Sequence, residues 1–345
     1  MRVPVSGRAR VLRNAQVRLG AALVGAVALF ALLAPWFSPH DGITSEFSRG
    51  AAPLGPVGPS SEFWLGADRL YRDQLTRLAL GGRTSLWIGL ASTALATSVG
   101  ALVGVLAGYY EGARGARLPW LVVGGLVALL GLTVFGPPVV TTKVFAHHGV
   151  LPIVGLAGLA ALGRAFLRAG PEISLDAALM RSVDIGLAFP FLLLVMALAS
   201  VFERTSATTI LLTLGFTGWL GIARIVRAKT IQVRNQEYVT AARALGQSTP
   251  RILWLHVLPN VAGPIVVLAT LSVAQMIVAE SVMSYLGVGL SPPTATWGYM
   301  LFEGQEVYAT APWLLAAPFA AILACVLGFN LLGEGLRDAL DPRSE

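Results

Sequence analysis

Apolar residues in this chain run in long blocks, and the blocks are wide enough to cross a bilayer, which takes about 20 residues of helix. Uninterrupted or nearly uninterrupted runs occupy Leu19–Phe37, Ser85–Tyr110, Trp120–Val140, Ile185–Phe202, Thr205–Ala223, Val261–Ala279 and Ala309–Gly333. A shorter run, Gly149–Leu162, stands as a span only in company with its neighbour. The first run follows five arginines, yet it ends in Ala-Pro-Trp-Phe, which reads as an uncleaved anchor and not a signal peptide. Residues 281 to 302 carry no basic residue, but Gly287-Val-Gly289 and Pro292-Pro293 break any helix there. Broken backbone is not tolerated against lipid, so the stretch is expected to be an external loop or a re-entrant segment. The pattern predicts an all-α polytopic membrane protein with about eight transmembrane segments.

Charge orients the segments. Only 12% of the 345 residues are charged, which excludes a soluble enzyme surface, and the net charge is +7. With a cytoplasmic N-terminus, 18 of the 25 basic residues fall on the cytoplasmic side, six of them between Arg224 and Arg251. The arrangement holds only if residues 113–174 cross an even number of times, so they are read as an inserted transmembrane hairpin. His147 and His148 at its tip read as a polar turn, since no third metal ligand lies nearby. The resulting map is a cytoplasmic N-terminus at 1–18, a first helix at 19–37 and an external segment at 38–84. A core follows at 85–112 and 175–345, with the insert at 113–174 and a cytoplasmic loop at 224–259.

Within the spans, Gly100, Gly104 and Gly108 recur at every fourth position, a face on which another helix can approach closely. Arg181 and Asp184 sit three apart at the inner end of a span and can pair on one helical face. Pro190 is expected to kink its span. Glu280, at the outer end of 261–279, reads as a hydrogen-bonded boundary anchor, with an ion or proton site as the competing reading.

The loop Arg224–Pro259 carries the most information. Tyr238, Ala241, Ala242 and Leu245 form one apolar stripe at helical spacing. Gly246 stands where a left-handed C-cap is needed. Thr249 offers an N-cap and Pro250 the first helical position. Ile252 and Leu255 open a second apolar face that Pro259 limits. This helix, glycine turn and helix could be a DNA-reading element, a passive basic loop or a docking element for a cytoplasmic partner; the tether to two spans and the alanine-rich face disfavour DNA.

Those residues also carry a family resemblance. Glu237-Tyr-Val-Thr-Ala-Ala-Arg-Ala-Leu-Gly246, continuing to Leu258-Pro259-Asn260, resembles the EAA loop of ABC importer permeases. Further stretches resemble the C-type permease subunit of dipeptide, oligopeptide and nickel importers. They are Phe63-Trp-Leu-Gly-Ala-Asp68, Gly82-Arg-Thr-Ser-Leu86, Met180-Arg-Ser-Val-Asp-Ile-Gly-Leu-Ala-Phe-Pro190, Leu286-Gly-Val-Gly-Leu290 with Trp297-Gly298, and Asn330-Leu-Leu-Gly333 with Gly335-Leu-Arg-Asp-Ala-Leu-Asp-Pro342. The resemblance covers most of the chain apart from 113–174 and the extreme N-terminus.

It implies a six-helix type I permease core and a bacterial cytoplasmic membrane location with both termini inside. It also implies a second permease subunit completing the pore, two cytoplasmic ATPase subunits and an external substrate-binding protein. Glu237, Tyr238, Ala241, Ala242, Leu245, Gly246, Leu258 and Pro259 would form the loop that seats in an ATPase. Thr240 departs from the pattern, standing where a glutamate is common. The chain has no Gly-Lys-Ser/Thr phosphate loop, no His-Glu-x-x-His and no Gly-x-Ser-x-Gly. It is therefore expected to hold no cofactor and to perform no catalysis, with ATP and magnesium bound by the partners. Nickel or another small solute is the alternative cargo, and a proton-coupled secondary transporter is the alternative class.

Overall fold

The computed structural model describes residues 11–45, 55–112, 174–200, 205–290 and 292–340. In chain order the helices are α1 (Ala15–Phe37), α2 (Gln74–Tyr109), α3 (Leu175–Leu187), α4 (Phe191–Ala199), α5 (Ala207–Arg234), α6 (Glu237–Ala244), α7 (Thr249–Ile252), α8 (Leu258–Tyr285), α9 (Trp297–Gln305) and α10 (Trp313–Leu340). A π-turn, Leu253–Val257, joins α7 to α8. No strand occurs among the described residues. Five helices are long and apolar enough to span a membrane: α1, α2, α5, the composite Thr249–Tyr285 and α10. The pair α3–α4 makes a sixth only as a broken span, bent by 86°. The expected spans Trp120–Val140 and Gly149–Leu162, and the insert 113–174 to which they belong, lie outside the described residues except for Ser174.

Several boundaries move, each for a local reason. The second span begins at Gln74 and not at Ser85, because Asp73 caps it: Thr76 donates to Asp73 Oδ2 through its backbone N–H at 2.8 Å and its hydroxyl at 2.5 Å. Arg77 and Arg83 lower the local hydropathy without interrupting the helix. The last span likewise runs on from Gly333 to Leu340, and the fifth helix runs on from Ala223 to Arg234. Residues 281–285 complete α8; only the stretch after Tyr285 turns, and from Trp297 it is helical again. Pro190 does more than kink. It occupies the N-cap of α4, with no N–H to offer Gly186, and the span divides into two helices.

The described chain forms two compact units, Met1–Thr97 with Arg204–Gly218 and Ala262–Glu345, and Ser98–Glu203 with Trp219–Val261. In the first, α1 and α10 pack antiparallel. A Cβ on Gly20 would stand 2.6 Å from the Gly328 carbonyl, and one on Gly335 2.8 Å from the backbone nitrogen of Val17. Asn14 caps α1 through bonds from Gln16 N (2.8 Å) and Val17 N (3.3 Å), and its amide reaches the Gly335 carbonyl at 3.4 Å. The start of α1 therefore lies beside the end of α10. Pro35 leaves the Ala31 carbonyl without its helical donor, and Arg83 Nε supplies one at 2.8 Å. The core gathers Ala31, Leu78, Leu86, Ile277, Trp297 and Phe329. Trp297 is buried and donates its indole N–H to the Leu78 carbonyl at 3.0 Å.

In the second unit the glycine stripe of α2 meets α5. A Cβ on Gly100, Gly104 or Gly108 would lie 2.8, 2.6 or 2.7 Å from the carbonyls of Trp219, Ala223 and Arg227. Backbone packs on backbone here, as the four-residue spacing predicts. Gly104→Leu is expected to cost about 1–3 kcal/mol, because the Ala223 carbonyl cannot retreat without moving α5. Gly221, whose Cβ would meet nothing within 4 Å, supplies the control as Gly221→Ala. Thermal stability of the detergent-solubilised variants separates them; equal stability would refute the close-approach account.

Candidate functional site

The loop between α5 and α8 folds into a tight turn of two helices. Gln236 takes the N-cap of α6 and Glu237 its first position, where a carboxylate favours the helix dipole. The far end closes as a Schellman motif: Gly246 N donates to Arg243 O at 3.0 Å and Gln247 N to Ala242 O at 3.2 Å, with Gly246 at φ +74°. The expected glycine cap is thus formed. The next helix differs by one residue, since Ser248 and not Thr249 is the N-cap, and Pro250 follows at the second helical position. Pro259 does not limit this helix. The π-turn intervenes, with Leu258 N bonded to Leu253 O five residues back, and the chain passes Pro259 into α8. A widened turn accommodates a proline whose ring would otherwise meet the carbonyl of Leu255. The composite helix Thr249–Tyr285 has 37 residues, roughly 55 Å at 1.5 Å per residue, and so projects well beyond a 30 Å hydrocarbon layer.

The expected apolar stripe divides into two adjacent ones. Ala242 is buried with Val239, a residue the sequence reading left out. Tyr238, Ala241 and Leu245 face solvent, with Leu245 81% exposed. Trp254 (71%) and Leu255 (52%) are exposed on the following turn, so Leu255 presents outward while Ile252 is buried. Leu258 is half-buried and Pro259 exposed. Exposed large apolar side chains on a polar loop mark an interaction surface. Glu237, Arg243 and Arg251 are also exposed on this loop, and Thr240 spends its hydroxyl on the Gln236 carbonyl at 3.3 Å. The turn is braced by His256, which hydrogen-bonds Gln247 Oε1 at 3.0 Å and lies 6.4 Å from the Tyr238 ring. Neither bracing residue was legible from periodicity.

The other candidates settle elsewhere. Arg181 and Asp184 do not pair with each other. Asp184 bonds Arg224 of α5 at 2.5 Å, and Arg181 is exposed. That surface pair joins α3 to α5, helped by Arg227, which holds Asp176 through two bonds of 2.5 and 2.7 Å. Glu280 is hydrogen-bonded, as the anchor reading expects, and its helix runs on past it. It is fully buried, five residues before the end of α8, and accepts from the Ser85 and Ser284 hydroxyls at 2.8 Å each. It joins α8 to α2 from inside the first unit.

One open cleft of about 360 Å³ is lined by Asp68, Arg69, Arg72, Tyr299, Glu303 and Glu306 among others. Its charges are already matched. Arg72 bonds Asp68 (2.7 Å) and Glu303 (2.6 Å), and Arg77 bonds the same two carboxylates. Burial, and then the charge of Glu303, raises the Tyr299 hydroxyl above its usual range. Among the described residues no three His, Cys, Asp or Glu side chains gather as metal ligands.

Comparison with known proteins places this arrangement. Residues 159–345 match the family described as binding-protein-dependent transport system inner membrane component. The chain is similar to the oligopeptide transport system permease protein of Bacillus subtilis, 33% identical over 97% of this chain and 88% of the relative. It is 34% identical to the di/tripeptide transport system permease protein of Pseudomonas aeruginosa, over 91% of this chain and 83% of that one. A dipeptide transport system permease protein of Bacillus subtilis is 30% identical over 97% and 84%. A multi-pass helical protein with a capped helix–glycine–helix loop between two spans, matched over nearly its whole length, belongs to the inner membrane permease family of binding-protein-dependent ABC importers.

Proposed function

We propose that this chain is one half of the pore of an ATP-driven peptide importer, and that the loop Arg224–Pro259 is where a cytoplasmic ATPase docks. The exposed apolar group Tyr238, Leu245, Trp254 and Leu255 on a rigidly capped turn carries the reading. A second permease subunit completes the pore, each permease receives one of two ATPases, and an external binding protein delivers the cargo. ATP and magnesium belong to the ATPases, and this chain performs no chemistry. Both termini lie in the cytoplasm with the loop; the adjacency of Asn14 to Gly335 supports a common side for the two ends, and the basic bias supports the inside. The names of the relatives support di- or oligopeptides as cargo. Closure of the ATPases on ATP pushes α6, and the spans continuous with the loop reorient to expose the pore alternately to either side.

The test is uptake of a labelled dipeptide by membrane vesicles holding the assembled complex, with binding protein and ATP on their proper sides. Uptake is expected to require ATP and to survive collapse of the proton gradient. Uptake that follows the proton gradient without ATP would replace this reading with a secondary transporter, and uptake of nickel in place of peptide would reassign the cargo.

A further inference from the structure

The inner end of α2 is held in an unusual way. Its last residue is Tyr109, and the final carbonyls of a helix have no partner within it. Arg234 Nη1 donates to the carbonyls of both Tyr109 (2.8 Å) and Glu111 (2.7 Å), so the last residue of α5 caps the end of α2. Glu111 also faces Arg227 at 3.3 Å and Arg234 at 3.7 Å through its carboxylate. Nine residues after Arg234, past nearly the whole of α6, the chain returns to the same place. The guanidinium carbon of Arg243 stands 5.6 Å from the centroid of the Tyr109 ring, within cation–π range. That ring is buried, and Tyr110 packs edge-on to it at 5.4 Å.

We infer that Tyr109 is a positioning residue through which α6 grips α2, so that the movement of α6 is delivered to α2 directly and not only through the helices joined to it in sequence. The inference rests on the reading of α6 as the ATPase-coupling element. Arg234 at the end of α5 and Arg243 near the end of α6 both close on the end of α2, one point from each helix. A displacement of α6 then carries the end of α2 with it. The glycine stripe at 100, 104 and 108 already seats that helix against α5, so the contact moves a pair already packed together. Without the ring, α6 still sits on its ATPase, but its motion is shared less completely with α2.

The experiment measures peptide imported per ATP hydrolysed by the assembled complex in vesicles. Tyr109→Leu, outside the docking loop, is expected to keep ATPase co-purification and ATP hydrolysis while lowering that ratio about two- to fivefold, the scale of a lost exposed cation–π contact, and Arg243→Gln is expected to lower the ratio by as much. Tyr109→Phe keeps the ring face and the backbone carbonyl that Arg234 uses, and is expected to restore the ratio. The double variant is expected to be no worse than either single one, because the two side chains form a single link. An unchanged ratio in Arg243→Gln, whose side chain is exposed in the fold, overturns the inference. So does a Tyr109→Phe ratio as low as that of Tyr109→Leu. Loss of ATPase co-purification with Arg243→Gln also overturns it, since the residue would then be a docking contact. Absence of ATP-driven uptake by the unaltered complex would instead remove the coupling reading of α6 itself.

Discussion

Gly246→Pro is expected to abolish ATP-driven uptake and ATPase co-purification while leaving the chain inserted in the membrane. Gly246 sits at φ +74°, a conformation proline cannot reach because its ring holds φ near −65°. Its N–H also makes one of the two bonds that close the end of α6, and proline has no N–H. Together these losses amount to roughly 3 kcal/mol or more at this turn, enough to unfold a helix of only eight residues. Nothing approaches within 4 Å of a Cβ built on Gly246, so the effect is one of backbone and not of crowding. Gly246→Asn is therefore the informative companion, since asparagine tolerates the left-handed region, and it is expected to retain most of the transport. Leu245 and Trp254 lie on either side of the turn, and their relative placement depends on its angle. Uptake and co-purification by Gly246→Pro equal to those of the unaltered chain would show that the turn geometry does not hold the docking surface together.

What could be read in advance followed from local rules. The glycine cap and the stripe at Gly100, Gly104 and Gly108 need only spacing and a residue without Cβ, and both are present as read. Among the described residues the existence of five spans was legible, but their ends were not. Arg77 and Arg83 depress hydropathy over a stretch that is helical because Asp73 caps it and a carbonyl freed by Pro35 receives Arg83. Helical spacing permits an Arg181–Asp184 contact without requiring it, and Asp184 instead bonds Arg224, forty residues away. Glu280 was read as a hydrogen-bonded anchor at the end of an apolar run; the hydrogen bonds are present, and the helix continues five residues further to Tyr285. Within α6 the stripe was read as one face, but Tyr238, Ala241 and Leu245 are exposed and Ala242 is buried, since alanine fits either side and only packing decides between Ala241 and Ala242. The Tyr109–Arg243 contact joins residues far apart in sequence and has no periodic signature at all.

The last prediction concerns the buried charge network, where removal of one partner is expected to have the largest effect on stability. Asp68, Arg72, Arg77 and Glu303 form a closed set of two cations and two anions. Arg77 has a side chain only 2% exposed and bonds both carboxylates, Glu303 at 2.5 Å. Asp68 is further satisfied by the backbone N–H groups of Leu70 (2.8 Å) and Arg72 (3.0 Å). A network so complete is costly to open. Arg77→Met leaves two carboxylates, of which Asp68 is buried, facing a single guanidinium, which is expected to destabilise the fold by up to about 3 kcal/mol. Arg77→Lys keeps the charge, but one ammonium cannot replace a fork that reaches two carboxylates, and it is expected to fall between the two. Arg77→Met combined with Glu303→Gln restores the charge balance and is expected to be more stable than Arg77→Met alone. Thermal unfolding of the solubilised chain measures all three. If Arg77→Met unfolds within about 0.5 kcal/mol of the parent, as an ordinary surface change does, the network is not what holds the first turn of α2 to α9. If the double variant is no better than the single one, the loss comes from packing of the arginine stem and not from the uncompensated charge.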